Sequence, residues 1–222
     1  ISESFESEGF PVSINPLSDW EILEQLTETT WERTELASSD GAAAMRIRSR
    51  FFSGENEHNL YSPFINLIQY PSPVRLYFDY AYAKRNGQSD DLLRVLISDD
   101  CGLSWTERKD LTTEELVTNG GSYISSAFVP SGDQWEEEYV NLNPWAGSES
   151  VKIKFEFTGE DGNYLYVDNI RLELEQIGFD ETKLYNEKIL IKRIDILGRE
   201  TKMKNFYIDI FNDGTVRKHY KL

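Results

Sequence analysis

The chain has 222 residues, 39% hydrophobic and 13% aromatic, enough to bury one sizeable core and a small second unit. Its 39 Asp and Glu against 23 Lys and Arg give a formal net charge of −16, which repels nucleic acid and anionic membrane surfaces. A single cysteine, Cys101, excludes an internal disulfide and a Cys-x-x-Cys metal knuckle, and there is no run of about 20 apolar residues to form a transmembrane segment.

Taken in chain order, period-two or buried apolar runs predict strands at 20–23, 43–52, 74–83, 92–98, 135–142, 151–157 and 164–174. Between them lie turn-rich stretches such as SGENEHN, KRNGQSDD, TNGGS, VPSGDQ and TGEDGN, and TTEEL at 112–116 is the one candidate helical turn. Seven or more strands over about 175 residues, with long connections, predict an all-β, two-sheet β-sandwich of jelly-roll type.

The stretch 98–105, SDDCGLSW, fits S-x-D-x-G-x-S-W, the Asp-box pattern of sialidase-type propellers. A propeller needs the motif repeated, and it occurs once. Its expected role is therefore local: Arg94 to Ile97 runs in as a strand, Asp100 and Gly102 supply an acceptor and a permissive backbone, and Trp105 folds back over the hairpin.

Residues for catalysis are sparse. His58 and His219 are far apart, lack H-E-x-x-H spacing and read as loop or surface residues; no G-x-S-x-G elbow and no Gly-rich phosphate loop occurs. Cys101, inside a tight turn, reads as a spectator thiol. A hydrolase needs two carboxylates about 5–10 Å apart, one with a raised pKa. Asp79, within the apolar run LYFDYAYA, is the candidate, set against the plainer assignment of an Asp satisfied by backbone or hydroxyl partners. For glycan binding the sequence offers Trp20, Trp31, Trp135, Trp145 and several Tyr, with three of those four Trp expected in the core.

Charge divides the chain near Gly178. Residues 1–178 carry 13 Lys and Arg against 32 Asp and Glu, whereas 179–222 carry 10 against 7, so two units with different electrostatic roles are expected, 1–178 and 179–222. Carboxylates of the first unit can hold a hard cation, since calcium takes six to eight oxygen ligands, while runs such as Glu136-Glu137-Glu138 read as a solvated face. The start, ISESFESEG, has neither an initiator Met nor a signal-peptide apolar stretch and reads as a portion of a longer protein.

The ordered motifs SFESEGFP, LYSPFINL, VRLYFDYAYA, LLRVLISDDCGLSWTE, FVPSGDQWEEEYVNL and VKIKFEFTGEDGNYLYVDNIRL resemble the MAM-like jelly-roll modules of secreted Bacteroidetes proteins, the cleaved-adhesin and choice-of-anchor J groups. That resemblance implies a non-catalytic accessory or adhesive module, with an upstream domain, a metallopeptidase among the choices, and a glycan or protein ligand. It also implies a structural calcium shared by an acidic residue of the first strand and an Asp of the last, here Glu6 and Asp168, with Asp40 and Asn163 as further ligands. A cation at that place ties the two ends of the module together.

The tail KILIKRIDILGRETKMKNFYIDIFNDGTVRKHYKL is similar to the C-terminal sorting domain of type IX secretion cargo, which has a strand ending in D-x-x-G-R, a Y-I strand, a D-G turn and a final Lys-bearing strand. The earlier Pro-Asn-Pro strands are missing, and Asn205-Phe206 replaces a usual glycine. The resemblance rests the signal on Asp195, Gly198, Arg199, Tyr207, Gly214 and Lys218. Gly198 and Gly214 would set turns, Tyr207 would anchor its strand, and Arg199 and Lys218 would meet the type IX translocon and its outer-membrane shuttle barrel. Delivery to the exterior or cell surface of a Gram-negative bacterium follows. Independently of the family, Ile189, Ile191, Ile194, Ile196 and Leu197 predict an apolar strand turned by Gly198-Arg199, and Asn212-Asp213-Gly214 predicts a hairpin between 206–211 and 215–222. So short a unit suits docking by strand addition and charge.

Overall fold

A computed structural model describes residues 1–10, 19–22, 30–51, 57–70, 72–174, 190–195, 197–201, 206–211 and 214–220. The chain divides into two compact units, Ile1–Glu175 and Gln176–Leu222; the boundary expected at 178/179 lies outside the described residues. Among the described residues no helix is long and apolar enough to cross a membrane.

The first unit is an all-β sandwich of two antiparallel sheets. Its strands are β1 (Ser2–Glu3), β2 (Glu21–Ile22), β3 (Glu32–Thr34), β4 (Ala44–Arg48), β5 (His58–Tyr61), β6 (Val74–Tyr82), β7 (Asp90–Ser98), β8 (Thr106–Thr112), β9 (Glu136–Asn141), β10 (Lys152–Glu160) and β11 (Tyr164–Leu174). One sheet has the order β3-β4-β11-β6-β9, with β1 also on β11; the other has β2-β5-β10-β7-β8. A one-turn helix, α1 (Thr113–Leu116), follows β8 in the expected TTEEL, where the Thr112 hydroxyl and backbone both donate to the Glu115 carboxylate.

Alternation builds the core. Leu76, Phe78 and Tyr80 of β6, Leu93, Val95 and Ile97 of β7, Ile153, Phe155 and Phe157 of β10, and Leu165 and Val167 of β11 all point between the sheets. Trp20, Trp31 and Trp145 join them, which leaves Trp135 as the partly exposed member of the four. A second, smaller cluster lies outside this core: Phe128, Ile124 and Trp135 pack over Ala81, Ala83, Tyr164 and Tyr166.

β11 organises the six-stranded sheet. Its one edge pairs with β6 throughout, while its other edge pairs first with β4 (Tyr164 to Val167) and then with β1 (Ile170 and Arg171). The register shifts between Asp168 and Arg171, and Asn169 has a positive φ of 49°. The bulge thus sits where the neighbouring strand changes, and the first and last strands of the unit pair directly.

Several strands escaped the sequence reading, β3, β5 and β8, and the first strand, expected to carry Glu6, is Ser2–Glu3 and ends before it. β8 is the largest miss, because TERKDLT at a sheet edge exposes five of its seven residues and has no apolar alternation to read. His58, expected on a loop or the surface, is buried at the start of β5, and burial pushes its pKa down. The strand expected to reach Phe52 ends at Arg48 and passes into a 3-10 turn, Ser49–Phe51.

The second unit contains one described sheet, with β12 (Leu190–Ile194), β13 (Phe206–Phe211) and β14 (Val216–Tyr220) in that order. The hairpin between β13 and β14 forms as expected, with Ile208 opposite Lys218. Leu197 differs from expectation: it lies exposed in the turn after β12, and Ile189 and Ile196 lie outside the described residues.

Candidate functional site

The Asp-box is a closed hairpin. Asp100 Oδ1 accepts from Ser98 Oγ (2.7 Å) and Ser104 N (2.9 Å), Oδ2 accepts from Ser104 Oγ (2.6 Å), and the Gly102 N–H donates to Ser98 Oγ (2.8 Å). Cys101 and Gly102 take positive φ of 63° and 86°. The Ser104 bonds first, and then Ser98, hold the Asp100 carboxyl down at about 2. What the loop delivers is Trp105, which reaches Lys154 Nζ of β10 (5.1 Å from the ring centre) and Tyr61 of β5 (5.8 Å).

That places Trp105 on the outer face of the five-stranded sheet, a face dense in buried charge. Lys152 Nζ meets Glu21 at 2.6 Å, Lys154 Nζ meets Glu156 at 2.5 Å, and Arg94 meets the same Glu156 at 3.1 Å. Beyond Arg94 the face opens into a groove of about 300 Å³ lined by Glu57, Asp90, Leu92, Arg94, Thr158, Gly159 and Glu160. Asp90 and Glu160 face each other across β7 and β10, a like-charge pair that costs stability. The lining is mostly charged, with Leu92 its one large apolar side chain.

The carboxylates expected to hold calcium converge in part. Glu6 Oε1 accepts from Ala42 N (2.9 Å) and Ala43 N (3.2 Å). Asp168 Oδ2 accepts from Ser39 N (2.8 Å) and Asp40 N (3.1 Å), and its Oδ1 from Asn169 N (2.7 Å). Both acids therefore grip one loop, 39–43, in which Asp40 is exposed. Gly41 (φ +64°) leaves no space for a Cβ beside Glu6. Burial pushes Asp168 up to about 6 against the three backbone bonds that pull it down. Neither Glu6 nor Asp168 has a Lys or Arg partner among the described residues; backbone N–H groups of the 39–43 loop and of Asn169 meet their carboxylates instead. No three His, Cys, Asp or Glu groups among the described residues form a ready cage.

Asn163 is committed elsewhere. Its Oδ1 accepts from Phe128 N (2.9 Å) and Tyr164 N (3.0 Å), and its Nδ2 donates to Ile124 O (2.5 Å) and Ser126 O (2.9 Å). With its side-chain amide fully bonded, it clamps the 124–128 segment, and its Oδ1 has no lone pair left for a metal.

Asp79 does not stand in an open site. It accepts from Ser39 Oγ and from Asn169 Nδ2 (3.1 Å), with Arg171 at 3.6 Å, so hydroxyl, amide and guanidinium partners satisfy it. The strongly raised carboxyl that sequence reading missed is Asp91, pushed up to about 7 by burial. It accepts from Ser49 Oγ (2.6 Å), its backbone N–H donates to Thr113 Oγ1 (2.6 Å), and it lies so tight against Gly159 and Gly162 that neither can carry a side chain.

In the second unit the D-x-x-G-R residues make one turn. Asp195 Oδ1 accepts from Leu197 N (2.8 Å) and Arg199 N (3.0 Å), and Arg199 Nε donates to Asp195 Oδ2 (2.9 Å). The Arg199 backbone bond chiefly holds the Asp195 carboxyl below its usual range. Gly198 and Gly214 take positive φ of 79° and 76°. Tyr207 lies between the Arg193 guanidinium (3.9 Å) and the stacked His219 ring (4.4 Å). Asp209, buried beneath them, receives Arg193 Nε at 2.6 Å and lies 3.2 Å from His219 Nε2. His219, expected on a loop or the surface, instead lies within β14, held by Tyr207 and Asp209; the cluster with Arg193 and Asp209 was not read from the sequence, although Asp209 opposite Arg193 and Tyr207 opposite His219 is the signal a hairpin register gives. Lys218 is exposed on β14.

No family model and no curated protein matches the chain. Among solved structures it is similar to the K1 cleaved adhesin domain of Lys-gingipain from Porphyromonas gingivalis, at 19% identity and a TM-score of 0.53, covering 79% of this chain and 98% of that one. The K3 domain of the same protein gives 16% and 0.51, covering 78% and 97%, and the K2 domain 18% and 0.51, covering 78% and 97%. The chain therefore has the jelly-roll fold of cleaved adhesin domains.

Proposed function

We propose that this chain is part of an exported, non-catalytic binding protein: a calcium-stabilised jelly roll that engages a ligand outside the cell, and a C-terminal unit that addresses it to type IX secretion. The observation that carries the reading is the D-x-x-G-R turn, in which Asp195, Gly198 and Arg199 close on one another within a separate compact unit. The resemblance of residues 179–222 to sorting domains gives that turn its role. Arg199 then acts first by closing the turn, while Lys218 and the exposed part of Arg199 face the translocon and its shuttle barrel.

Adhesin-fold neighbours and the groove bounded by Arg94, Asp90 and Glu160 support a binding role for the sandwich. The calcium would be held by Glu6 and Asp168 with oxygens of the 39–43 loop, Asp40 among them, and would neutralise two carboxylates at the strand exchange on β11. Replacing Gly198 and Gly214 by Val forces β-branched side chains into positive φ. The full chain so altered, fused to a reporter in a type IX-competent host, is expected to remain inside the outer membrane; undiminished export would overturn the sorting role.

A further inference from the structure

The first unit is acidic throughout, yet one corner of it repeats arginine on a period of two: Arg46, Arg48 and Arg50. Met45 and Ile47 fill the core, so Arg46 and Arg48 point outward from β4, opposite Tyr166 and Tyr164 of β11. Arg50 follows in the turn that Ser49 ties to Asp91.

Two aromatic rings meet these guanidiniums. Arg46 lies 5.0 Å from the Tyr164 ring centre, Arg48 and Arg50 lie 5.6 and 5.4 Å from that of Phe51, and the two rings are 6.4 Å apart. Phe51 is 56% exposed. Glu32 binds both Arg46 (2.7 Å) and Arg48 (2.8 Å), whereas Arg50 has no ion pair among the described residues. Among the described residues the corner therefore holds three guanidiniums against the one carboxylate of Glu32, beside an exposed ring, on a unit of opposite sign.

We infer that this corner binds an anionic saccharide, a sugar ring bearing a carboxylate or sulfate. A guanidinium matches either anion with paired N–H donors, and the Arg50 guanidinium lies over the rim of the exposed Phe51 ring at cation–π distance. The Phe51 ring offers an apolar plane to the C–H face of a sugar, with charged donors at its rim. Charge selects the ligand class. Extended polyanions such as nucleic acid or an anionic bilayer meet the acidic remainder of the unit, while an isolated anion in contact with Arg50 lies within one screening length, about 8 Å at physiological salt. The inference rests on the reading of the sandwich as a binding module, and it assigns a different face from the groove at Arg94.

The test is titration calorimetry of the full chain with an oligogalacturonide, a sulfated galacto-oligosaccharide and a neutral galacto-oligosaccharide, with duplex DNA and phosphatidylglycerol vesicles as further arms. The expected result is saturable binding of an acidic sugar that weakens with salt, and the carboxylated and sulfated arms identify which anion is preferred. Arg50→Ala is expected to lose about tenfold or more in affinity, the scale of one charge-assisted contact, and Phe51→Ala to lose affinity too; unchanged melting temperatures check that both variants fold. Equal binding of the neutral sugar, wild-type affinity in both variants, preference for DNA or vesicles, or no binding of either acidic sugar would each overturn the site. If sugar binding survives Arg50→Ala and is lost in Arg94→Ala, the binding module stands and this corner is not its site.

Discussion

The two ends of β7 carry two aspartates with opposite fates. Asp91, at its start, faces the core and is pushed up to about 7 by burial; Asp100, two residues beyond its end, is half-buried in the surface turn and held at about 2 by serine hydroxyls and a backbone N–H. Their chemistry is identical, so the difference is made by solvent and by what donates to each carboxylate. Asp91 closes the interior of the sandwich, where burial favours its neutral form, and Asp100 shapes a surface loop whose donors favour its anion.

The largest expected effect is at Asp91. Between about pH 4 and 7 the unfolded chain ionises this group while the folded chain keeps it protonated, so its contribution is full at low pH and is lost as pH rises toward 7. Across that window the preference of the folded state for the neutral acid amounts to about 4 kcal/mol. Asp91→Asn keeps an acceptor for Ser49 and removes the titration. Denaturant unfolding at pH 5 and pH 8 should show the variant gaining on wild type at the higher pH; parallel changes in both proteins would contradict the account.

Asp168 sharpens the comparison, since burial raises it while a bound cation would reverse that. With calcium at about a hundred times its dissociation constant, binding to the folded state adds about 2.7 kcal/mol. Chelation should lower the melting temperature of wild type and leave Asp168→Asn unmoved. An identical response of the two, or none in wild type, would remove calcium from the 39–43 loop. The smallest effect is at Asp100. Asp100→Ala should reduce the melting temperature slightly at pH 7 and not at pH 2, because the stability contributed by a depressed carboxylate is present above its unfolded pKa and lost as pH falls toward the folded value. A loss that persists at pH 2 would mean that the Asp100 side chain acts through packing.

Strands whose alternate residues enter the core could be read directly: β6, β7, β10 and β11 all lie within or around expected runs. β8 could not, because an edge strand that stays charged resists pairing with other chains and shows no apolar period. For the site, Asp79 stands out in the sequence as an Asp among apolar residues, but it occupies an outward position of β6, between Phe78 and Tyr80, which point in. The same alternation places Asp91 on the core face with Leu93, Val95 and Ile97, and that was the available signal. The clamp at Asn163 had none, since its partners in the 124–128 segment lie 35 to 39 residues away along the chain. Glu6 and Asp168 were legible as a pair only through the family resemblance; what brings them to one loop is the exchange of β4 for β1 along β11.

The most direct test of the export reading is the fate of a fluorescent protein carrying residues 176–222, in a type IX-competent host and in a mutant lacking that system. The account predicts fluorescence outside the cell in the first and retention in the second. Retention in both hosts, while a fusion carrying 1–222 is exported, would make the sandwich part of the address; retention of both fusions in both hosts would contradict the sorting role outright.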